Sequence, residues 1–281
     1  MSKKTDVIEY LFFRNWDEST KTLRKSVVDQ LEVVEAIRHV NSIDGKGRSE
    51  RNPANFLKDL VRTSTASGNW PQSVAQRNYT AVQRTGANLV LEFVPYSAGQ
   101  TDPFPDPYKF RPEVRTVPVQ SLTLWSESKK LGRRDEAWLT QVAVKLAVLE
   151  THFAVSSPLR EKIRDIVHLQ MSVKLRSTEI DAMYMARLEE SQGVILDVAI
   201  TVEAKQSHER ILENQLVEQA KASFSQQRYA MAIPIGMRAV QGRGIYIAEF
   251  EPVLASSAEK FIKPVLVDEA LYELHPNVPG I

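Results

Sequence analysis

Five prolines crowd the stretch from Pro103 to Pro118, with Gly99 ahead of them and few aliphatic residues between. Proline fixes φ and cannot donate to a ladder, so neither a long helix nor a central strand passes easily through such a stretch. Residues 97–118 therefore read as a linker or extended arm. It divides the 281 residues into an N-terminal region, 1–118, and a C-terminal domain, 119–281.

Before the prolines, Leu23, Val27, Leu31, Val34 and Ile37 recur at spacings of three and four, which predicts a helix over 17–41. Asn52 and Pro53 suit the N-cap and first position of a second helix. A polar loop follows to Asn69, and 79–85 and 88–96 read as two strands of a hairpin around Gly86. Between Gly45 and Leu91 seven basic residues face two acidic ones, in a chain whose net charge is only +1. Such a local excess suits a polyanion-binding face as well as an ordinary solvated one. Helix, helix, polar loop and basic hairpin together resemble a winged-helix DNA-binding module.

After the prolines the texture changes. Residues 119–125 suit a strand, and Trp138, Val142, Leu146 and Leu149 mark an amphipathic helix ending near His152. Strand-like segments follow at 167–175, 179–186 and 194–204, with a polar turn at 189–193. A helix at 208–224 and strands at 229–237 and 245–250, joined through Gly242-Arg243-Gly244, complete the pattern. The order helix, three strands, helix, two strands predicts an α/β (α+β) fold with a central mixed sheet flanked by helices.

There are no cysteines, which excludes thiolate metal sites, iron–sulfur clusters and cysteine nucleophiles. The five histidines are scattered without metal-ligand spacing, and no phosphate-loop or dinucleotide fingerprint occurs, so no nucleotide cofactor is expected. The apolar run from Val7 to Phe13 is too short and interrupted for a signal peptide. No stretch approaches the roughly 18–20 apolar residues of a membrane helix. The expectation is a soluble, cytoplasmic chain with no membrane partner.

The residues with chemical potential lie on two of these strands. Glu179 and Asp181 alternate on one, Glu203 and Lys205 on the next, while Val202 and Ala204 point to the opposite face. If the strands pair, carboxylates and an ammonium converge. Carboxylates and the Ala204 carbonyl are hard oxygen ligands suited to Mg²⁺. A cation there polarises a phosphodiester and activates water, and Lys205 steadies the charge that develops.

Asp181, twenty-one intervening residues, then Glu203-Ala204-Lys205 on a strand followed by a helix resembles the active site of the PD-(D/E)xK nuclease superfamily. The resemblance covers roughly residues 136–255, and departs from the motif in having Ile180, not proline, before Asp181. It implies a restriction-endonuclease-like core, with Asp181 and Glu203 as metal ligands and Lys205 as the catalytic lysine. It also implies accessory places for Glu150 on the preceding helix and for Gln215 or Gln219 on the following one. A rival spelling, Pro105-Asp106 with Glu127-Ser128-Lys129, matches the letters better. Its Asp lies among prolines and its second half is polar on both faces, so it is set aside.

A chain of this size with no ATPase motif resembles a type II restriction endonuclease, which implies a cytoplasmic bacterial or archaeal enzyme acting on double-stranded DNA as a homodimer. Mg²⁺ is the expected cofactor, with Mn²⁺ as substitute. DNA binding falls to Arg51, Lys58, Arg62, Gln76, Arg77, Asn78 and Arg84, side chains of the kinds that reach groove edges and phosphates. A structure-selective or repair nuclease, a sequence-independent nuclease and a non-catalytic DNA-binding protein remain as alternatives.

Overall fold

The computed structural model describes residues 4–281 apart from Thr85, Leu131, Gly132, Arg176, Ser177, Gln192 and Gln227, and apart from the side chains of Asp59 and Gln226. Thr85, at the end of an expected strand, and Gln192, in an expected turn, thus lie outside the described residues. The chain forms two compact units, Met1–Pro107 and Tyr108–Ile281.

In the first unit, α1 (Thr5–Asn15) buries Val7, Ile8, Leu11 and Phe12 along one side. The sequence reading gave this run no element. A short ribbon, β1 (Trp16–Asp17) with β2 (Thr22–Leu23), precedes β3 (Val27–Asp29) and α2 (Gln30–Asp44). The helix expected over 17–41 therefore begins only at Gln30. Val27 and Val28 pair with Glu92 and Leu91 as strand. Asp29 then starts the helix through a capping box, accepting the Glu32 N–H at 3.0 Å while Glu32 accepts its own N–H at 3.0 Å. The second expected helix is split into a 3₁₀ turn at Pro53–Asn55, α3 (Lys58–Arg62), α4 (Ala66–Asn69) and α5 (Gln72–Ala75). The hairpin is present as β4 (Tyr79–Gln83) and β5 (Leu89–Pro95), and the sheet order is β3-β5-β4. Phe12, Leu57, Trp70 and Phe93 anchor the core between helices and sheet.

The second unit is built on an eight-stranded mixed sheet. Its strands are β6 (Arg115–Gln120), β7 (Ile163–Leu175), β8 (Thr178–Ser191), β9 (Val194–Lys205), β10 (Met231–Val240), β11 (Gly244–Phe250), β12 (Val253–Leu254) and β13 (Leu266–His275). The order is β6-β13-β11-β10-β9-β8-β7, with β12 on β10. The β9/β10 and β13/β6 pairs are parallel and the rest antiparallel. The unit starts at Tyr108, ahead of the expected boundary at 118, because 115–118, the end of the expected linker, continues through Gln120 as an edge strand of this sheet. The strand expected at 119–125 ends at Gln120.

Helices α6 (Ser126–Lys130), α7 (Glu136–Lys145), α8 (Val148–Val155) and α9 (Glu213–Ser223) complete the unit. The single helix expected up to His152 is broken at Ala147, whose φ of 49° is left-handed. Side chains of α7 and α8 pack with Ala182, Ile200, Val202, Ile247 and Tyr272 on one face. Leu216 and Ala220 of α9 meet the other face, Leu216 among Tyr246 and Ala248 and Ala220 among Ala199 and Met183. The turn through Gly242 closes the β10/β11 hairpin as expected. At its end only glycine fits, since a Cβ on Gly244 would lie 2.0 Å from the Tyr272 carbonyl oxygen. Among the described residues no helix is long and apolar enough to cross a membrane.

Candidate functional site

The alternation along β9 decides the site. Val198, Ile200, Val202 and Ala204 enter the core under α7 and α8, so Ala199, Thr201, Glu203 and Lys205 face the other way, toward α9. Strand β8 runs antiparallel beside it, and their register ends at Ala182 opposite Val202. One residue further, a side chain replaces the backbone ladder. Asp181 Oδ2 accepts the N–H of Ala204 at 2.7 Å. The N–H and C=O of one strand residue point to the same side, so the Ala204 carbonyl also lies on the β8 side, beyond the last registered pair.

Glu203 and Lys205 are 2% and 3% exposed. One Glu203 oxygen, Oε1, pairs with Lys205 Nζ, and the other accepts from Gln219 Nε2. Gln219, on α9, also donates to the Glu179 carbonyl at 3.1 Å and thereby ties the helix to both strands. Burial and the nearby Glu203 charge push Asp181 up to about 7, against the opposing pull of the Ala204 N–H and Lys205. Two carboxylates with one ammonium leave the site short of positive charge. That deficit, and the hard oxygen donors, fit a divalent cation held by Asp181 and Glu203.

Asp181, Glu203, Ala204, Lys205 and Gln219 are thus brought together. Gln215 lies one turn earlier on α9, its Oε1 buried without a hydrogen-bond partner among the described residues. The Glu179 side chain is exposed and contributes only its carbonyl. Glu150 is not brought in. It stands on α8, on the far side of the sheet, raised by burial and acting on the Tyr184 phenol. Instead Glu136, in the first turn of α7, adds to the negative field at Asp181. Sequence pattern gave no sign of it, because which helical carboxylate lies near Asp181 is set by how α7 packs on the sheet. The rival Glu127-Ser128-Lys129 is helical, so its Glu and Lys do not share a face.

A second polar cluster escaped the sequence reading. His152, Glu249 and Asp268 place potential ligand atoms within 4.8 Å of one another. The network is closed: His152 Nε2 meets Glu249 at 2.9 Å, His152 Nδ1 meets the Tyr272 hydroxyl at 2.9 Å, and Ser157 donates to Glu249 at 2.9 Å. Residues from 152 to 272 meet only through the sheet, which is why spacing could not reveal it.

The basic stretch of the first unit is partly neutralised. Arg48 is buried against Asp6 and Asp44, and Arg84 pairs with Glu92. Arg77 lies over the rings of Phe13 and Trp16 and donates to the Ser73 carbonyl at 3.0 Å. Arg51, Lys58 and Arg62 have no ion pair among the described residues, and Gln76 and Asn78 are exposed. The chain matches no protein-family model, no curated protein and no solved structure.

Proposed function

We propose that the chain is a Mg²⁺-dependent endonuclease that hydrolyses phosphodiester bonds of double-stranded DNA, of the type II restriction kind. The observation that carries this reading is the convergence of Asp181, Glu203 and Lys205 where β8 and β9 part, with Gln219 behind them. The order of α7, three antiparallel strands, α9 and a strand parallel to β9 supports a restriction-endonuclease-like core. In the first unit, the strand ahead of α2 pairing between helix and hairpin gives the order β3-β5-β4, which supports the winged-helix reading.

Asp181 and Glu203, with the Ala204 carbonyl, would hold Mg²⁺, or Mn²⁺ in its place. The ion supplies Lewis-acid polarisation of the phosphate and a water of lowered pKa. Lys205, paired with Glu203, would orient the attacking water or steady the charge that develops on the phosphate oxygens. Gln219 fixes the Glu203 rotamer from behind. Cutting both strands of a palindromic site calls for two copies related by a twofold axis.

Incubating the purified chain with unmethylated phage DNA, with Mg²⁺ and with EDTA, tests the proposal. Discrete fragments with Mg²⁺ alone are expected. A smear keeps the nuclease and removes sequence specificity. Intact DNA on linear, methylated and branched substrates refutes the nuclease.

A further inference from the structure

The loop after β6 holds two apolar side chains out in solvent on a firm base. Leu122 and Trp125 are each 77% exposed, although Trp138 of the same unit is 7% exposed and donates its indole N–H to the Pro279 carbonyl. An isolated exposed leucine is ordinary, but tryptophan is usually well buried. The display is not slack. Ser121 donates its N–H to the His275 carbonyl at 2.7 Å and its hydroxyl to the Pro276 carbonyl. The Gln120 side chain accepts the N–H of Leu122 at 2.9 Å, and Leu124, between the two exposed residues, is plugged into the core.

Basic residues accompany them. Lys129 and Lys130 are on α6, and Arg133 and Arg134 follow, both exposed and without an ion pair among the described residues. Arg134 lines a hollow of about 450 Å³ together with Gln206, Ser207 and His208, the three residues that follow Lys205. Arg134 therefore borders the end of the strand that carries Glu203 and Lys205, whereas Leu122 and Trp125 follow β6, the edge strand four places away in the same sheet.

We infer that Leu122, Trp125 and the Lys129, Lys130, Arg133 and Arg134 side chains form an arm that contacts DNA beside the cut, the cations on phosphates and the indole against a base. This rests on the nuclease reading. Charge complementarity selects the occupant: the apolar pair is followed in the chain by four cations, Lys129 donating to Ser121 Oγ at 3.3 Å, Lys130 pairing with the exposed Glu127 at 3.9 Å, and Arg133 and Arg134 without an ion pair among the described residues, which suits a polyanion with stackable faces.

Tryptophan fluorescence, read in EDTA while a 30-base-pair duplex is added, tests the arm, with Trp125→Phe as control and Leu122→Ala and Trp125→Ala for affinity. The expected result is quenching that is mostly lost in Trp125→Phe, and duplex binding weakened about tenfold in Trp125→Ala. Equal quenching in Trp125→Phe, or unchanged affinity in Trp125→Ala, overturns the arm. So does quenching by phosphatidylserine vesicles with none by DNA, or a dimer lost in Trp125→Ala while DNA affinity holds. Trp125-dependent quenching without any Mg²⁺-dependent cleavage sinks the nuclease reading and leaves the arm. Cleavage by a Trp125→Ala protein of unchanged affinity does the reverse.

Discussion

Asp181 accepts the Ala204 N–H at 2.7 Å just where the β8/β9 register stops. A carboxylate thus stands in for the next rung of the ladder and remains beside Glu203 without a full counter-charge. Asp181→Ala and Lys205→Ala are each expected to lower single-turnover cleavage at least about a hundredfold. Gel-shift affinity for DNA should stay near wild type, because neither side chain supplies most of the phosphate contacts. Wild-type cleavage by either variant would place the chemistry elsewhere.

The same crowding sets a pH dependence of stability. Asp181 is pushed up to about 7 in the folded state from 3.8 in the open chain. Between those values the folded protein holds a proton that the unfolded chain has lost, so stability falls as pH rises toward about 7. In EDTA, the melting temperature should therefore rise on acidification from about pH 8 to about pH 6. Asp181→Asn should be more stable than wild type at the higher pH and flatten that dependence. Calorimetry across pH checks the sign, and an identical profile for Asp181→Asn contradicts it.

Gln219 supplies the brace behind Glu203. Replacing it with alanine leaves a buried carboxylate oxygen short of a donor, at a cost of about 1–3 kcal/mol. Gln219→Ala should also need more Mg²⁺ for half-maximal cleavage, since the Glu203 rotamer is no longer held. A metal titration of the cleavage rate measures this. An unshifted midpoint confines Gln219 to a structural part.

The His152–Glu249 pair is expected to matter for folding and not for chemistry. His152→Ala takes one of its two partners from a fully buried carboxyl, Ser157 alone remaining, and should cost about 1–3 kcal/mol in denaturant unfolding. Cleavage per folded molecule should be unchanged, and a fall in that rate would tie the network to the site.

In the first unit, alanine at Arg51, Lys58 or Arg62 should weaken DNA binding and lower the salt slope by about one each. Arg84→Ala should do less, because Glu92 already holds that guanidinium. Affinity measured over a range of salt separates the two groups.

Much of this was legible in residue order. The alternation along 194–205 set which residues of β9 enter the core, and so placed Glu203 and Lys205 on one face. The mixed sheet and the 79–95 hairpin followed from period-two patterns bounded by turn residues. Other features depended on partners far along the chain. Strand β13 was hidden by Asp268, Glu269 and Glu273, acidic residues whose place beside Arg115, Tyr246 and Arg243 exists only once the sheet forms. Residues 115–118 looked like linker because an edge strand tolerates the proline that a central one does not.

Local sequence thus determined the faces of strands and the identities of the Asp, Glu and Lys, because side-chain alternation is a property of one strand. Tertiary structure decided which carboxylates meet. Glu136 of α7 acts on Asp181 while Glu150 of α8 acts on Tyr184, and the packing of α8 on the sheet brought His152 to Glu249. Those choices are made by packing between segments that no local period connects.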